Sequence, residues 1–181
     1  EMEPLTLTAN RVFSNTAKYG AVYLYGSPFE MTNNVIAQNT GDGVVVKGSA
    51  SFPAMGTLLH NTIAQNGANG VYVGSYNTGY CAITMTNNIV VSHTVGVLLS
   101  EPATDEPNRV TASHTLFFDT VTNTVGSVIT STDEIAGDPL FVRPADLNYH
   151  IQRDSPAIDA GIDAGVSTDM DGNGRPMGSG F

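Results

Sequence analysis

The chain holds a single cysteine, Cys81, so it has no internal disulfide framework. It has no tryptophan, and charged residues make up only 13%, about half the usual share of roughly 25%. Cations are scarcest: seven Lys and Arg stand against seventeen Asp and Glu, for a net charge of −10. So negative a chain repels phosphate backbones, which excludes nucleic acid as a partner. No apolar run approaches the roughly 18 residues that a transmembrane segment requires. Helical periodicity over ten or more residues is missing from residues 1–130, which excludes helical bundles and alternating α and β units. The L-x-x-L-x-L pattern of leucine-rich repeats is missing too. At 181 residues with 41% apolar content, the chain suits one domain with a real core.

The polarity that remains is uncharged: fifteen Asn, twenty Thr and nineteen Gly. Thr favours strands, while Asn and Gly favour turns. These residues recur with a fixed period. Asn10, Asn34, Asn61, Asn88 and His114 follow one another at 24, 27, 27 and 26 residues. Five residues after each stand Asn15, Asn39, Asn66, His93 and Asp119, and two residues after each stand Val12, Ile36, Ile63, Val90 and Leu116. Glycines at 20, 43, 70 and 96 open apolar alternations: Ala21/Tyr23, Val44/Val46, Val71/Val73 and Val97/Leu99. Each unit reads as three short strands. One unit cannot bury its apolar face alone, but stacked units bury a continuous core. The spacing therefore predicts an all-β chain, a single-stranded parallel β-helix of about five coils over residues 1–130, rising about 4.8 Å per coil.

Equivalent asparagines on stacked coils are expected to hydrogen-bond in ladders and to supply the left-handed backbone of sharp bends. The fifth unit degrades at His114 and Asp119. Residues 131–181 are read as an irregular capping segment of the same domain, with Ser155–Gly161 as a short helical turn. The N-terminal side shows no cap. The remainder of a longer parent protein is expected there, or an end-to-end dimer through the open end.

The units T-N-N-V-I-A-Q-N-T-G-D-G-V-V-V (32–46) and H-N-T-I-A-Q-N-G-A-N-G-V-Y-V (60–73) resemble the repeats of right-handed parallel β-helix proteins, the pectate-lyase-like superfamily. The tail D-P-L-F-V (138–142), L-N-Y-H-I-Q-R-D-S-P-A-I-D-A-G (147–161) and D-M-D-G-N-G-R-P (169–176) is similar to the C-terminal end of bacterial cell-surface β-helix proteins. The resemblance implies an extracellular or cell-surface location. It leaves two functions open: a non-catalytic scaffold or glycan-binding module, or a polysaccharide lyase or glycoside hydrolase acting on an acidic polysaccharide, or its C-terminal fragment.

The loops after the third strands vary most, and binding tends to live on such loops. They carry Tyr25, Tyr76, Tyr80, Glu101, Asp105 and Glu106, a mixture of rings and polar groups suited to stacking on a polysaccharide. Catalytic pairs are not evident. The row of Arg11 offers no acidic partner, and Asp42 reads as a turn residue. Asp169, Asp171 and Asn173 occupy positions 1, 3 and 5 of a calcium-loop pattern with Gly174 at 6, but Gly180 stands where a bidentate Glu belongs. Calcium is therefore the one cofactor to test.

Overall fold

A computed structural model describes residues 3–76, 79–100, 107–177 and 180. The chain winds as a parallel β-solenoid. Its first coil is β1 (Leu5–Thr8), β2 (Arg11–Phe13) and β3 (Gly20–Tyr25), and its second is β4 (Pro28–Thr32), β5 (Val35–Ala37) and β6 (Asp42–Gly48). The third is β7 (Ala54–Leu59), β8 (Thr62–Ala64) and β9 (Asn69–Ser75). In the next coil the second and third strands fuse, giving β10 (Cys81–Thr86) and β11 (Ile89–Leu99), and β12 (Arg109–Ser113) and β13 (Leu116–Val125) repeat this. Then β14 (Ile129–Thr132) and β15 (Ile135–Ala136) continue the winding past residue 130, so the coils extend beyond the boundary expected from the sequence. A hairpin of β16 (Phe141–Arg143) and β17 (Asn148–Ile151) follows.

Parallel pairing sets the stack. The order β1-β4-β7-β10-β12-β14 forms one sheet. Leu7, Met31, Leu58, Met85 and Ala112 stand in one register row and face inward, as do Val12, Ile36, Ile63, Val90 and Phe117. One inward row has a gap that matters: Phe29 pairs with Gly56, which pairs with Ile83. A Cβ on Gly56 would meet the carbonyl and ring of Phe29, so the absent side chain leaves room for that ring.

The sequence and the structure part at the short first repeat. Val22, not Ala21, aligns with Val44, and Leu24, not Tyr23, with Val46, because Gly20 pairs with Asp42 rather than with Gly43. A one-residue slip exchanges the faces of a strand, so Val22 and Leu24 point into the core while Tyr23 and Tyr25 point outward. A similar slip occurs later. Asn88 aligns with Thr115 and His93 with Thr120, so His114 and Asp119 are not ladder residues, and Leu116 faces outward while Phe117 takes the inward place.

His114 and Asp119 belong to two further rows. Ala9, Asn33, His60, Asn87, His114 and Asp133 all have φ between 47° and 57°. Ser14, Gln38, Gln65, Ser92 and Asp119 have φ between 50° and 58°. The left-handed bends thus sit one residue before each ladder asparagine, not on it. The bends stay bonded from coil to coil, for example from the Asn33 N–H to the Leu59 carbonyl at 3.0 Å and from His60 to Thr86 at 3.1 Å.

The ladders themselves form as expected. Asn10 Nδ2 donates to Asn34 Oδ1 at 3.0 Å, Asn34 to Asn61 at 2.9 Å and Asn61 to Asn88 at 3.1 Å. The backbone N–H of each donates to the same oxygen. Asn15, Asn39 and Asn66 repeat the scheme at 3.0 and 2.8 Å, after which His93 Nε2 accepts from the Asn66 N–H at 3.3 Å.

After the last coil strand the described residues from 138 on take another course. They run back along a flank as a strap that reaches the first coil. The outward side of the stack is therefore covered as well, at β5 and β8 and at the start of β11 and β13: Val35, Ala37, Ala64, Val91 and Leu116 look outward and pack with Tyr149, while Phe13, Phe141, Leu147 and Met170 close the cluster. Tyr149 stacks on Phe13 at 5.9 Å, accepts from Gln38 Nε2 at 3.1 Å and donates to Gln65 Oε1 at 3.0 Å. Segment 155–161 is a turn, held by the Ala157 N–H on Ser155 Oγ; among the described residues the one short helix is 3-10, at Pro144–Asp146. Tyr149→Phe keeps the ring but removes both hydroxyl bonds, and is expected to cost about 1–2 kcal/mol, read as a lower urea midpoint. An unchanged midpoint would mean that the strap docks by its rings alone.

Candidate functional site

The outward slip of Tyr23 has a functional consequence, because it adds a ring to a face that the loop residues only hinted at. On the outer side of β3, β6 and β9 lie Tyr19, Tyr23, Tyr25, Tyr72 and Tyr76, with Lys18 and Lys47 among them. Tyr23, Val45, Tyr72 and Leu98 form one outward row across four coils, and Tyr25, Lys47 and Gly74 form the next. Tyr23 and Tyr72 are two coils apart, about 9.6 Å along the rod.

The rings hold one another. Tyr23 Oη and Tyr76 Oη share a hydrogen bond of 3.1 Å. Tyr25 and Tyr76 are tilted at 6.1 Å between centroids, and Tyr19 and Tyr23 at 6.2 Å. Lys47 Nζ donates to Tyr72 Oη at 3.0 Å and lies 4.2 Å from the Tyr72 centroid and 5.2 Å from that of Tyr76. The result is a rigid, amphipathic surface beside a concavity of about 420 Å3. Tyr19, Tyr23, Tyr25 and Tyr76 keep 42–62% of their surface open. Desolvation first, and then the bond to Tyr76, push the Tyr23 hydroxyl up to about 12, so it remains a neutral donor. At Tyr72 burial acts upward, but bonds with Ser100 and Lys47 and the charge of Lys47 outweigh it and pull the phenol down.

Asp42 is the one carboxylate among the described residues lining this concavity. Its oxygens accept from the Asn69 N–H and Nδ2, both at 2.9 Å. It is a bracket between coils.

The other candidates scatter. Tyr80 lies apart, donating to Met55 Sδ at 2.9 Å under Arg109. Glu101, Asp105 and Glu106 lie outside the described residues. Sequence reasoning missed Tyr23 because the glycine alignment placed it inward. It missed Lys47 as a ring partner because the pairing depends on cross-coil register.

Residues 169–173 close on themselves. Asp169 Oδ1 accepts from the N–H groups of Asp171 and Asn173, and its Oδ2 from Asn173 Nδ2. Those bonds hold the carboxyl below its ordinary range despite the upward effect of burial. Asp171 Oδ1 pairs with Arg11 at 3.1 Å and Oδ2 with His150 at 2.6 Å. Arg11, which has no acid in its own row, thus gains one from the strap. Of the three expected calcium ligands, Asp171 is thus engaged by two basic side chains. Calcium binding there would require Asp171 to release both.

Residues 4–117 match the family model described as right handed beta helix region, more than half of the chain. The chain belongs to this right-handed β-helix family. Neither a search of curated proteins nor one of solved structures gives a match. What sets this β-helix apart is therefore read from its own surfaces: a tyrosine face on one side and a strapped flank on another.

Proposed function

We propose that this β-helix is a non-catalytic, carbohydrate-binding module of a secreted or cell-surface bacterial protein. The observation that carries the reading is the exposed tyrosine face joined by Lys47. Sugar rings present flat C–H faces to aromatic rings and hydroxyls to polar tips, and tyrosine offers both at low entropic cost. Two lysines favour a polysaccharide that carries carboxylates. The cross-coil hydrogen bonds support prior organisation, which reduces the cost of ordering on binding. The extracellular location rests on the resemblance of the tail.

Affinity electrophoresis against acidic and neutral polysaccharides tests the proposal. The native chain is expected to be retarded, most by acidic polymers. Tyr76→Ala is expected to weaken binding about tenfold, or ~1.4 kcal/mol, without altering the thermal midpoint by more than a few degrees. Retardation by no polymer would overturn the binding reading. Release of unsaturated sugars or new reducing ends would replace it with the lyase or hydrolase reading.

A further inference from the structure

Tyr23 and Tyr76 meet across two coils. Tyr23 belongs to β3 in the first coil, and Tyr76 follows β9 in the third, 53 residues further along the chain. Between the two coils the outward row carries only the shorter side chain of Val45. The two hydroxyl oxygens stand 3.1 Å apart. Both rings are open to solvent, at 42% and 49% of their surface. In a biphenol made by joining two such rings, the hydroxyls flank the new bond and lie within hydrogen-bond reach of each other. The pair is therefore arranged much as its coupled product would be.

The composition leaves oxidation to the phenols. The chain has no tryptophan, and its one cysteine, Cys81, is fully buried. Neither an indole nor a surface thiol competes for an oxidant. The exposed methionines, Met55 and Met177, react by another route, taking up oxygen at sulfur. The neighbouring rings are placed differently from the pair. Tyr25 meets Tyr76 ring to ring, at 6.1 Å between centroids and 58°. Tyr72 has its hydroxyl engaged by Lys47 Nζ at 3.0 Å.

We infer that Tyr23 and Tyr76 form an oxidative cross-linking site, where a peroxidase and hydrogen peroxide join the two rings as dityrosine and staple the first coil to the third. Each phenol loses one hydrogen atom, so the pair gives up two electrons and two protons. The O–O bond of the peroxide breaks and takes them up as two waters. The phenoxyl radicals couple at ring carbons ortho to their oxygens, each two bonds from an oxygen of the shared hydrogen bond. The protons on those carbons then move to the oxygens and restore two phenols. The inference does not rest on the carbohydrate reading, since it needs only that the rings be adjacent and exposed. The new bond closes a loop of 53 residues, which restricts the unfolded chain as a disulfide does.

The test treats the full chain with a haem peroxidase and one equivalent of hydrogen peroxide, followed by trypsin and mass spectrometry. Cleavage after Lys18, Lys47 and Arg109 leaves Tyr19, Tyr23 and Tyr25 on segment 19–47 and Tyr72, Tyr76 and Tyr80 on segment 48–109. The expected product is a monomer lighter by two hydrogens, with dityrosine fluorescence, in which these two segments travel as one peptide. Tyr23→Phe and Tyr76→Phe keep the rings in place, and each is expected to lower the yield of that peptide tenfold or more. The cross-linked chain is expected to unfold at a higher urea midpoint than the untreated chain. Links found only between chains, or confined to segment 19–47, would overturn the assignment. So would a joined peptide that survives Tyr23→Phe and vanishes in Tyr25→Phe, or a gain of oxygen at methionine with no loss of hydrogen. A joined peptide with an unmoved midpoint would overturn the staple.

Discussion

Replacing Asn61 with alanine is expected to lower stability by about 3–5 kcal/mol, while the same change at Asn10 is expected to cost under about 1 kcal/mol. The two residues occupy the same row, so the difference isolates the ladder. Asn61 is 1% exposed. Its Oδ1 accepts both the N–H and the Nδ2 of Asn34, at 3.0 and 2.9 Å. Its Nδ2 donates to Asn88 Oδ1 and to the Met31 carbonyl. Truncation strands the Asn34 N–H and the Met31 carbonyl in the interior, and each such orphan costs about 1–3 kcal/mol. Asn10 has no coil above it among the described residues and is exposed to water, which replaces what is lost. Urea unfolding followed by circular dichroism reads both variants. Losses equal to within about 0.5 kcal/mol would show that the rows are decoration on a stack held by its apolar core.

Acid is expected to weaken the fold between pH 6.5 and about 4, and His93 is expected to account for much of the loss. This imidazole substitutes for asparagine at the end of the second ladder and is 4% exposed. Burial pushes it down to about 4. The folded chain therefore holds it neutral, while the unfolded chain protonates it near 6.5. Stability from this group is full above pH 6.5 and is lost as the pH falls toward 4, by on the order of 3 kcal/mol at the end of the window. Protonation also destroys the acceptor at Nε2 that takes the Asn66 N–H. His60, lowered by desolvation and by Arg175, acts in the same direction and the same window. His93→Asn removes a titrating group, restores an amide to the row and eliminates the unpartnered Nδ1. That variant is expected to be more stable than the native chain at pH 5, with a shallower acid slope, and His60→Asn/His93→Asn shallower still. Parallel pH profiles for the native chain and His93→Asn would refute the assignment.

The coils were legible in the sequence because their determinants are local and periodic. Valines at 44, 46, 71 and 73 alternate across strands, and an asparagine follows each left-handed bend of the first three coils. The reading failed where the period itself changed. The first repeat is short, so an alignment on Gly20 and Gly43 turned Tyr23 inward and hid the ring at the centre of the tyrosine face. The degraded fifth unit had no asparagine to fix it, and His114 was taken for the ladder residue when Thr115 holds that place. The bends were credited to the asparagines, although the positive φ falls one residue earlier, on side chains as different as Ala9, Gln65 and Asp119. The strap was least legible. Tyr149 and Met170 have no periodicity, and their partners, Phe13 and Val35, lie more than a hundred residues away. Arg11 seemed to lack an acid because a row-by-row reading cannot see Asp171.

The strap also alters how the stack fails. An unstrapped solenoid frays from either end one coil at a time, since each coil touches only its neighbours. Here one segment is fastened to four successive coils: to Arg11 and Phe13, to Asn33 and Gln38, to Gln65, and to Asn87. Peeling the first coil therefore disturbs a contact that also bridges the second, third and fourth. The flank works like the spine of a book, and a proteolytic nick in it would loosen every page together rather than shorten the volume from its ends.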